Sequence, residues 1–144
     1  MRSCHDVMTP DPTCVAAGDT VTSAAEIMKI EDVGAVPVID SQTGKKLLGI
    51  ITDRDIVLNV VAEKKSPDAM KVEEVMSRNP VTCRPDEDVV SAMDRMAAHQ
   101  IRRILVVDSK DKVMGIISQA DVATRIDLPE KTANVLEDIS QPVS

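Results

Sequence analysis

An α+β fold of two tandem β-α-β-β-α units is predicted, on three observations. The chain repeats itself: a shift of 68 residues pairs Val7-Met8 with Val75-Met76, Pro12 with Pro80, Val21 with Val89, Met28 with Met96 and Val38 with Val106. After a two-residue deletion the shift becomes 66, and Gly49-Ile50-Ile51-Thr52-x-x-Asp55 falls on Gly115-Ile116-Ile117-Ser118-x-x-Asp121. Each copy also holds one amphipathic helical pattern and two short apolar runs of strand length. The copies take residues 1–66 and 67–127, and 128–144 make a short C-terminal helix and tail.

The elements follow in order. Val7-Met8 and Val75-Met76 lead to Pro12 and Pro80, which bar a helix. Brief extended stretches follow, Thr13-Cys14-Val15 and Val81-Thr82-Cys83. The first helices bury Val21, Ala24, Ala25 and Met28 in copy one and Val89, Ala92, Met93 and Met96 in copy two, at i, i+3, i+4, i+7. Asp19-Thr20 and Asp86 to Asp88 offer N-caps. This methionine stripe reads as core, since Met fills irregular gaps between aliphatic neighbours. Val36 to Ile39 and Ile104 to Val107 are continuous apolar runs, the pattern of buried strands. Turns at Ser41 to Lys45 and Ser109 to Asp111 return the chain into strands Leu47 to Ile51 and Val113 to Ile117. Second helices run from Asp53 to about Ala62 and from Gln119 to about Ile126. The polar stretch Glu63 to Asp68 links the copies. Pro129 opens a last helix with Val135, Leu136 and Ile139 as its apolar positions.

Composition narrows the function. The 144 residues carry a net charge of −7 and contain no Phe, Tyr or Trp. Nucleic acid is not an expected partner, because phosphate backbones need a basic face and single strands need aromatic platforms. No apolar run reaches the roughly 18–20 residues of a membrane span, and the N-terminus lacks a signal-peptide core, so a cytoplasmic location is expected. Cys4, Cys14 and Cys83 contain no CxxC pair and read as reduced thiols, with a thiol sensor through Cys14 and Cys83 as a minor option. Cys4-His5 alone is too small for a metal site, and none is expected. No catalytic residue is assigned either. His5 and His99 differ in their repeat partners, no nucleophile–base set is visible, and no GxxxxGK or GxGxxG occurs. The acidic run Asp86-Glu87-Asp88 sits at a helix start, where negative charge is favoured.

The chemistry concentrates in Thr52-x-x-Asp55 and Ser118-x-x-Asp121. A hydroxyl followed three residues later by an acid is the capping-box spacing, in which an N-cap contributes roughly 0.5–2 kcal/mol. The same junction, a strand running into a helix N-terminus, also suits an anion held by free N–H groups. Gly49 and Gly115 lack a Cβ, so a ligand or another backbone can come close. A carboxylate one turn on can accept from two ribose hydroxyls. Arg54 in copy one, and Arg102 with Arg103 in copy two, offer charge for phosphates. Capping alone and capping with ligand binding both fit.

The chain resembles a tandem pair of cystathionine-β-synthase (CBS) domains, a Bateman module. The residues that carry the resemblance are Val7-Met8-Thr9 with Pro12, Val75-Met76-Ser77 with Pro80, Val36-Pro37-Val38-Ile39-Asp40, Arg102-Arg103-Ile104-Leu105-Val106-Val107-Asp108, and the two Gly-Ile-Ile-Thr/Ser-x-x-Asp stretches. It spans about residues 5–126. It implies two repeats packed through their sheets with pseudo-twofold symmetry, clefts between them, and further pairing as a homodimer. It implies a non-catalytic regulatory module that needs no cofactor and binds AMP, ADP or ATP, or S-adenosylmethionine or NAD. An unknown effector protein would read the signal. Carried over, Thr52 and Ser118 would meet phosphate or ribose, and Asp55 and Asp121 the ribose hydroxyls. Thr13 to Val15 and Val81 to Cys83, with Thr82 between them, would line the adenine pocket. Backbone and aliphatic groups of Ala35, Val36 and Pro37, and of Arg103, Ile104 and Leu105, would contact the base. Arg54, Arg102 and Arg103 would serve phosphates. A ligand-free dimerisation or scaffold module is the alternative.

Overall fold

The computed structural model describes residues 2–125. The expected helix around Val135, Leu136 and Ile139, and with it the tail 128–144, lies outside the described residues. The chain forms two compact units, one of residues 13–80 and one of residues 1–12 with 81 onward. They do not coincide with the sequence copies 1–66 and 67–127. Each copy sends its opening segment into the unit built by the other.

In the unit of residues 2–12 and 81–125, a four-residue helix α1 (Cys4–Val7) leads into strand β1 (Thr9–Pro10). In the unit of residues 13–80, β2 (Val15–Ala16) precedes helix α2 (Val21–Glu31) and strands β3 (Ala35–Ile39) and β4 (Leu47–Thr52). Helix α3 (Asp53–Ile56) continues as a π-helical turn over Val57–Val61, in which Ala62 N–H donates to Val57 O at 2.9 Å. Two 3₁₀ turns, Pro67–Ala69 and Val72–Glu74, then lead to strand β5 (Ser77–Arg78). Back in the first unit come β6 (Thr82–Cys83), α4 (Val89–His99), β7 (Arg103–Val107), β8 (Val113–Ser118) and α5 (Gln119–Arg125). The two sheets run β2-β3-β4-β5 and β1-β8-β7-β6. In each, the first and last strands are two-residue edge strands.

Local sequence accounts for the helices. Thr20 Oγ1 accepts Ser23 N–H at 3.2 Å to cap α2, and Asp88 Oδ1 accepts Val90 N–H at 3.0 Å to cap α4. Asp32 and Gln100 close the two helices in the left-handed conformation. The apolar faces make two cores. One gathers Val15, Val21, Ala24, Val36, Val38, Ile51, Val60, Val72 and Met76. The other gathers Cys4, Val7, Cys83, Val89, Met93, Met96, Ile104, Val106 and Ile117. Met93 and Met96 have no exposed surface, so they are packing residues.

The short extended stretches differ from expectation. Copy one pairs at Val15–Ala16, not from Thr13, and copy two at Thr82–Cys83. The strands β1 and β5 had no sequence signal, because two-residue edge strands carry no alternation. They are held by β8 and β4: Thr9 registers with Ile116, Pro10 with Gly115, Ser77 with Ile50 and Arg78 with Gly49.

Candidate functional site

Both hydroxyl–acid motifs sit where a strand becomes a helix, and both are closed capping boxes. Thr52 Oγ1 accepts Asp55 N–H at 3.0 Å while Asp55 Oδ2 accepts Thr52 N–H at 3.0 Å. Ser118 Oγ accepts Asp121 N–H at 3.2 Å while Asp121 Oδ2 accepts Ser118 N–H at 3.1 Å. All four side chains are partly buried.

The free N–H groups expected at these helix starts are mostly occupied. In α3, Asp53 N–H donates to Gly34 O at 2.9 Å, Arg54 N–H to Asp53 Oδ1 at 2.8 Å, and Asp55 N–H to the Thr52 hydroxyl. The first three donors are thus satisfied within the chain, and the helix end offers an anion no open backbone cradle. In α5, Gln119 N–H donates to Arg102 O at 3.0 Å. The glycines have a different reason from a ligand. A Cβ on Gly49 would lie 2.5 Å from Ser77 O and 2.8 Å from Met76 Sδ, and one on Gly115 would lie 2.5 Å from Met8 Sδ and 2.8 Å from Thr9 O. They exist because the edge strands and their methionines press against them.

What remains for chemistry is charge and the sheet faces turned away from the two cores, where Pro37 and Leu105 are nonetheless buried. Register puts Ala35 opposite Thr52 and Pro37 opposite Ile50, while Val36 and Val38 face the core with Ile51. In the other unit Arg103 lies opposite Ser118 and Leu105 opposite Ile116, and β6 brings Thr82 beside Leu105. Thus Ala35, Pro37 and Thr52 share one face, as do Thr82, Arg103 and Ser118. Val15, Val36 and Ile104 belong to the helix-covered cores, at most 1% exposed, so their side chains point away from these faces. Thr13 is exposed, and its hydroxyl donates to Glu31 Oε1 at 2.9 Å. By repeat position, Cys14 rather than Thr13 corresponds to Thr82.

Arg54 and Arg102 are exposed and Arg103 half-buried, and none of the three makes an ion pair among the described residues. Other arginines are engaged. Arg95 pairs with Glu87 at 3.0 Å and donates to Thr82 O at 2.6 Å, and Arg84 pairs with Asp111 at 3.5 Å. This explains the acidic run at α4: Glu87 holds Arg95 and Asp88 caps the helix.

One residue was not assigned to the site from the sequence. Thr9, on β1, donates its hydroxyl to the Asp121 carboxylate at 3.4 Å. Its repeat partner Ser77 makes no such bond to Asp55 among the described residues, and Asp55 Oδ1 accepts no hydrogen bond there. The cysteine pair is also not the expected one. Cys83 shares a core with Cys4, its thiol facing the Cys4 sulfur, whereas Cys14 belongs to the other unit. That contact holds the Cys4 thiol below its ordinary range and, with burial, pushes Cys83 up. Among the described residues no three His, Cys, Asp or Glu side chains group as metal ligands, and no helix is long and apolar enough to cross a membrane.

Known proteins share this architecture. The uncharacterized protein YlbB of Bacillus subtilis is 39% identical over 141 residues, covering 98% of this chain and 93% of that protein. The solved structure of CBSX2 in complex with AMP has a TM-score of 0.72 at 25% identity, covering 85% of this chain and 94% of that one. The CBS domain pair of protein MJ0100, in complex with 5′-methylthioadenosine and S-adenosyl-L-methionine, has a TM-score of 0.73 at 28% identity over 85% of this chain and 94% of that one. The CBS domain model matches residues 4–62 and 72–128, and so the chain belongs to the CBS domain family, with two tandem copies.

Proposed function

We propose that this chain is a non-catalytic sensor of adenine nucleotides, with AMP, ADP or ATP as ligand, acting on an effector protein. The observation that carries the reading is the set Arg54, Arg102 and Arg103. These cations sit at or next to the two hydroxyl–acid boxes without ion-pair partners among the described residues. A cap needs no neighbouring cation, whereas a phosphate does. Among the described residues Asp55 keeps one carboxylate oxygen open for a ribose hydroxyl after Oδ2 has capped the strand–helix junction. The adenosyl ligands named for CBSX2 and the MJ0100 pair support the same class. Within one unit the half-buried aliphatic groups Ala35 and Ile50, and within the other Ile116, would flank a base in place of aromatic rings.

Self-association fits the apolar surface of unit 13–80. Ile30, Val33, Val57, Leu58 and Val61 are exposed, Ile30 to 80%. Four of their repeat counterparts are Ala98, Ile101, Ala123 and Thr124, a less apolar set. We place a homodimer contact on this face, whether or not a ligand is bound.

The chain's lack of Phe, Tyr and Trp makes the test direct, because bound adenine would dominate absorbance near 260 nm. Calorimetric titration with AMP, ATP, S-adenosylmethionine and NAD should give saturable heat for at least one. Asp55→Asn keeps a capping oxygen and removes the charge, and is expected to weaken that binding. No heat and no thermal shift with any of the four would overturn the sensor reading and leave the scaffold.

A further inference from the structure

The two cysteines of unit 2–12 plus 81–125 occupy an informative position. Cys4 is 0% and Cys83 2% exposed, and both side chains lie in the one apolar core of this unit, within reach of each other. By the shift of 68 residues, Cys4 corresponds to Val72 and Cys83 to Val15. Those valines are 0% and 1% exposed and belong to the single core of the other unit. The same fold therefore fills this place with two aliphatic side chains in one unit and two thiols in the other. Packing alone asks only for small apolar groups, and valines meet that need.

We propose that Cys4 and Cys83 form a reversible intrachain disulfide, a redox modification site that fastens the N-terminal segment to strand β6. Oxidation by a hydroperoxide balances in two steps. The Cys4 thiolate attacks one peroxide oxygen, the O–O bond breaks to leave a sulfenic acid and hydroxide, and the hydroxide takes up the proton that Cys4 had released to give water. The Cys83 sulfur then attacks the Cys4 sulfur, forms the S–S bond and expels a second water. Both electrons go to the peroxide. The Cys83 thiol donating to Cys4 favours the Cys4 thiolate, with Arg95 adding to the effect and burial and Glu87 opposing it.

Access requires the segment to open. Residues 2–10 form one four-residue helix and one two-residue strand, held by the buried side chains of Val7 and Met8 and by backbone bonds, among them Cys4 N–H to Glu87 O at 2.8 Å and Val89 N–H to Arg2 O at 3.0 Å. Short elements near a chain end open sub-globally before the core strands do. The bridge would also hold β1, which carries the Thr9 hydroxyl to Asp121. Oxidation is thereby linked to one of the two hydroxyl–acid boxes, although the disulfide itself does not depend on nucleotide binding.

The full chain is treated with hydrogen peroxide, then denatured and titrated for thiols. The expected count falls from three to one and returns to three with dithiothreitol. Cleavage before aspartates separates Cys4 from Cys14, because Asp6 and Asp11 lie between them, and the map should contain a Cys4–Cys83 crosslink in monomeric chain. A Cys4→Val, Cys83→Val double variant copies the other unit's valines and should keep its one thiol under the same treatment. Three thiols retained by the unmodified chain, or disulfides found only through Cys14, would overturn the proposal.

Discussion

The α-carbon of Gly49 lies so near the Ser77 carbonyl that a β-carbon there would stand 2.5 Å from that oxygen. The contact joins the middle of strand β4 to edge strand β5, which arrives from beyond the linker between the copies. Gly49→Ala, and Gly115→Ala by the matching contact with Thr9 O, are expected to lower stability by roughly 1–3 kcal/mol. Gly18 has nothing within 4 Å of such a carbon and no positive φ, so Gly18→Ala should be neutral or slightly stabilising. Urea unfolding followed by circular dichroism separates them. Equal effects at all three positions would contradict the close-approach account.

Thr52→Ala removes the acceptor for Asp55 N–H, and Ser118→Ala the acceptor for Asp121 N–H. Each is expected to cost roughly 0.5–2 kcal/mol. Thr52→Ser should recover most of the loss, because the hydroxyl is what caps. Urea midpoints measured without ligand test this independently of any binding role.

Arg54→Ala and Arg103→Ala should weaken a phosphorylated ligand roughly tenfold or more, the scale of a lost charge-assisted hydrogen bond, and leave adenosine binding little changed. Both variants should unfold near the parent midpoint, since neither arginine is ion-paired among the described residues. Calorimetry with ATP and with adenosine distinguishes a phosphate contact from a general loss of fold.

Thr9→Val removes the hydroxyl that meets Asp121 while keeping the β-branched shape on β1. Loss of that hydroxyl should change ribose affinity at the second box and leave the first box unchanged. Two-site titration of the variant, alone and with Asp55→Asn, tells which box has changed.

Asp6 and Asp108 titrate below the ordinary carboxylate range. Backbone and side-chain bonds with Ser3 hold Asp6 down, and the backbone N–H groups of Lys112 and Lys110 hold Asp108 down. A depressed folded-state pKa contributes stability above the unfolded value near 3.8 and loses it as pH falls through the folded value. Urea midpoints should therefore drop below about pH 4, and Asp108→Asn should drop less over that interval. A variant that follows the parent curve throughout would exclude Asp108 as a contributor.

Much of the fold was legible because its signals are local. The i, i+3, i+4, i+7 faces of α2 and α4, the apolar runs of β3 and β7 and the caps at Thr20 and Asp88 lie within single stretches of chain. The candidate site was half legible. Thr52, Asp55, Ser118 and Asp121 stand out by type and spacing. Val15, Val36 and Ile104 joined them through the family resemblance, which assigns whole stretches, and a one-residue step along a strand turns a side chain to the other face. Their burial in the cores comes from the strand register, which pairs Val36 with Ile51 and Ile104 with Ile117.

By itself, the sequence determined that the chain has two copies of one α+β unit and that each carries a hydroxyl–acid box at a helix start. Periodicity and capping are nearest-neighbour physics, readable along one strand or one turn of helix. Only the tertiary structure decided that the opening segment of each copy completes the other copy's sheet, that Gly49 and Gly115 make room for backbone and methionine, that Thr9 reaches Asp121, and that Cys4 meets Cys83. These are contacts between residues far apart in sequence, and they form where two-residue edge strands find open hydrogen-bonding partners. No local pattern encodes such a choice, because it depends on which sheet edge is free once both cores have closed.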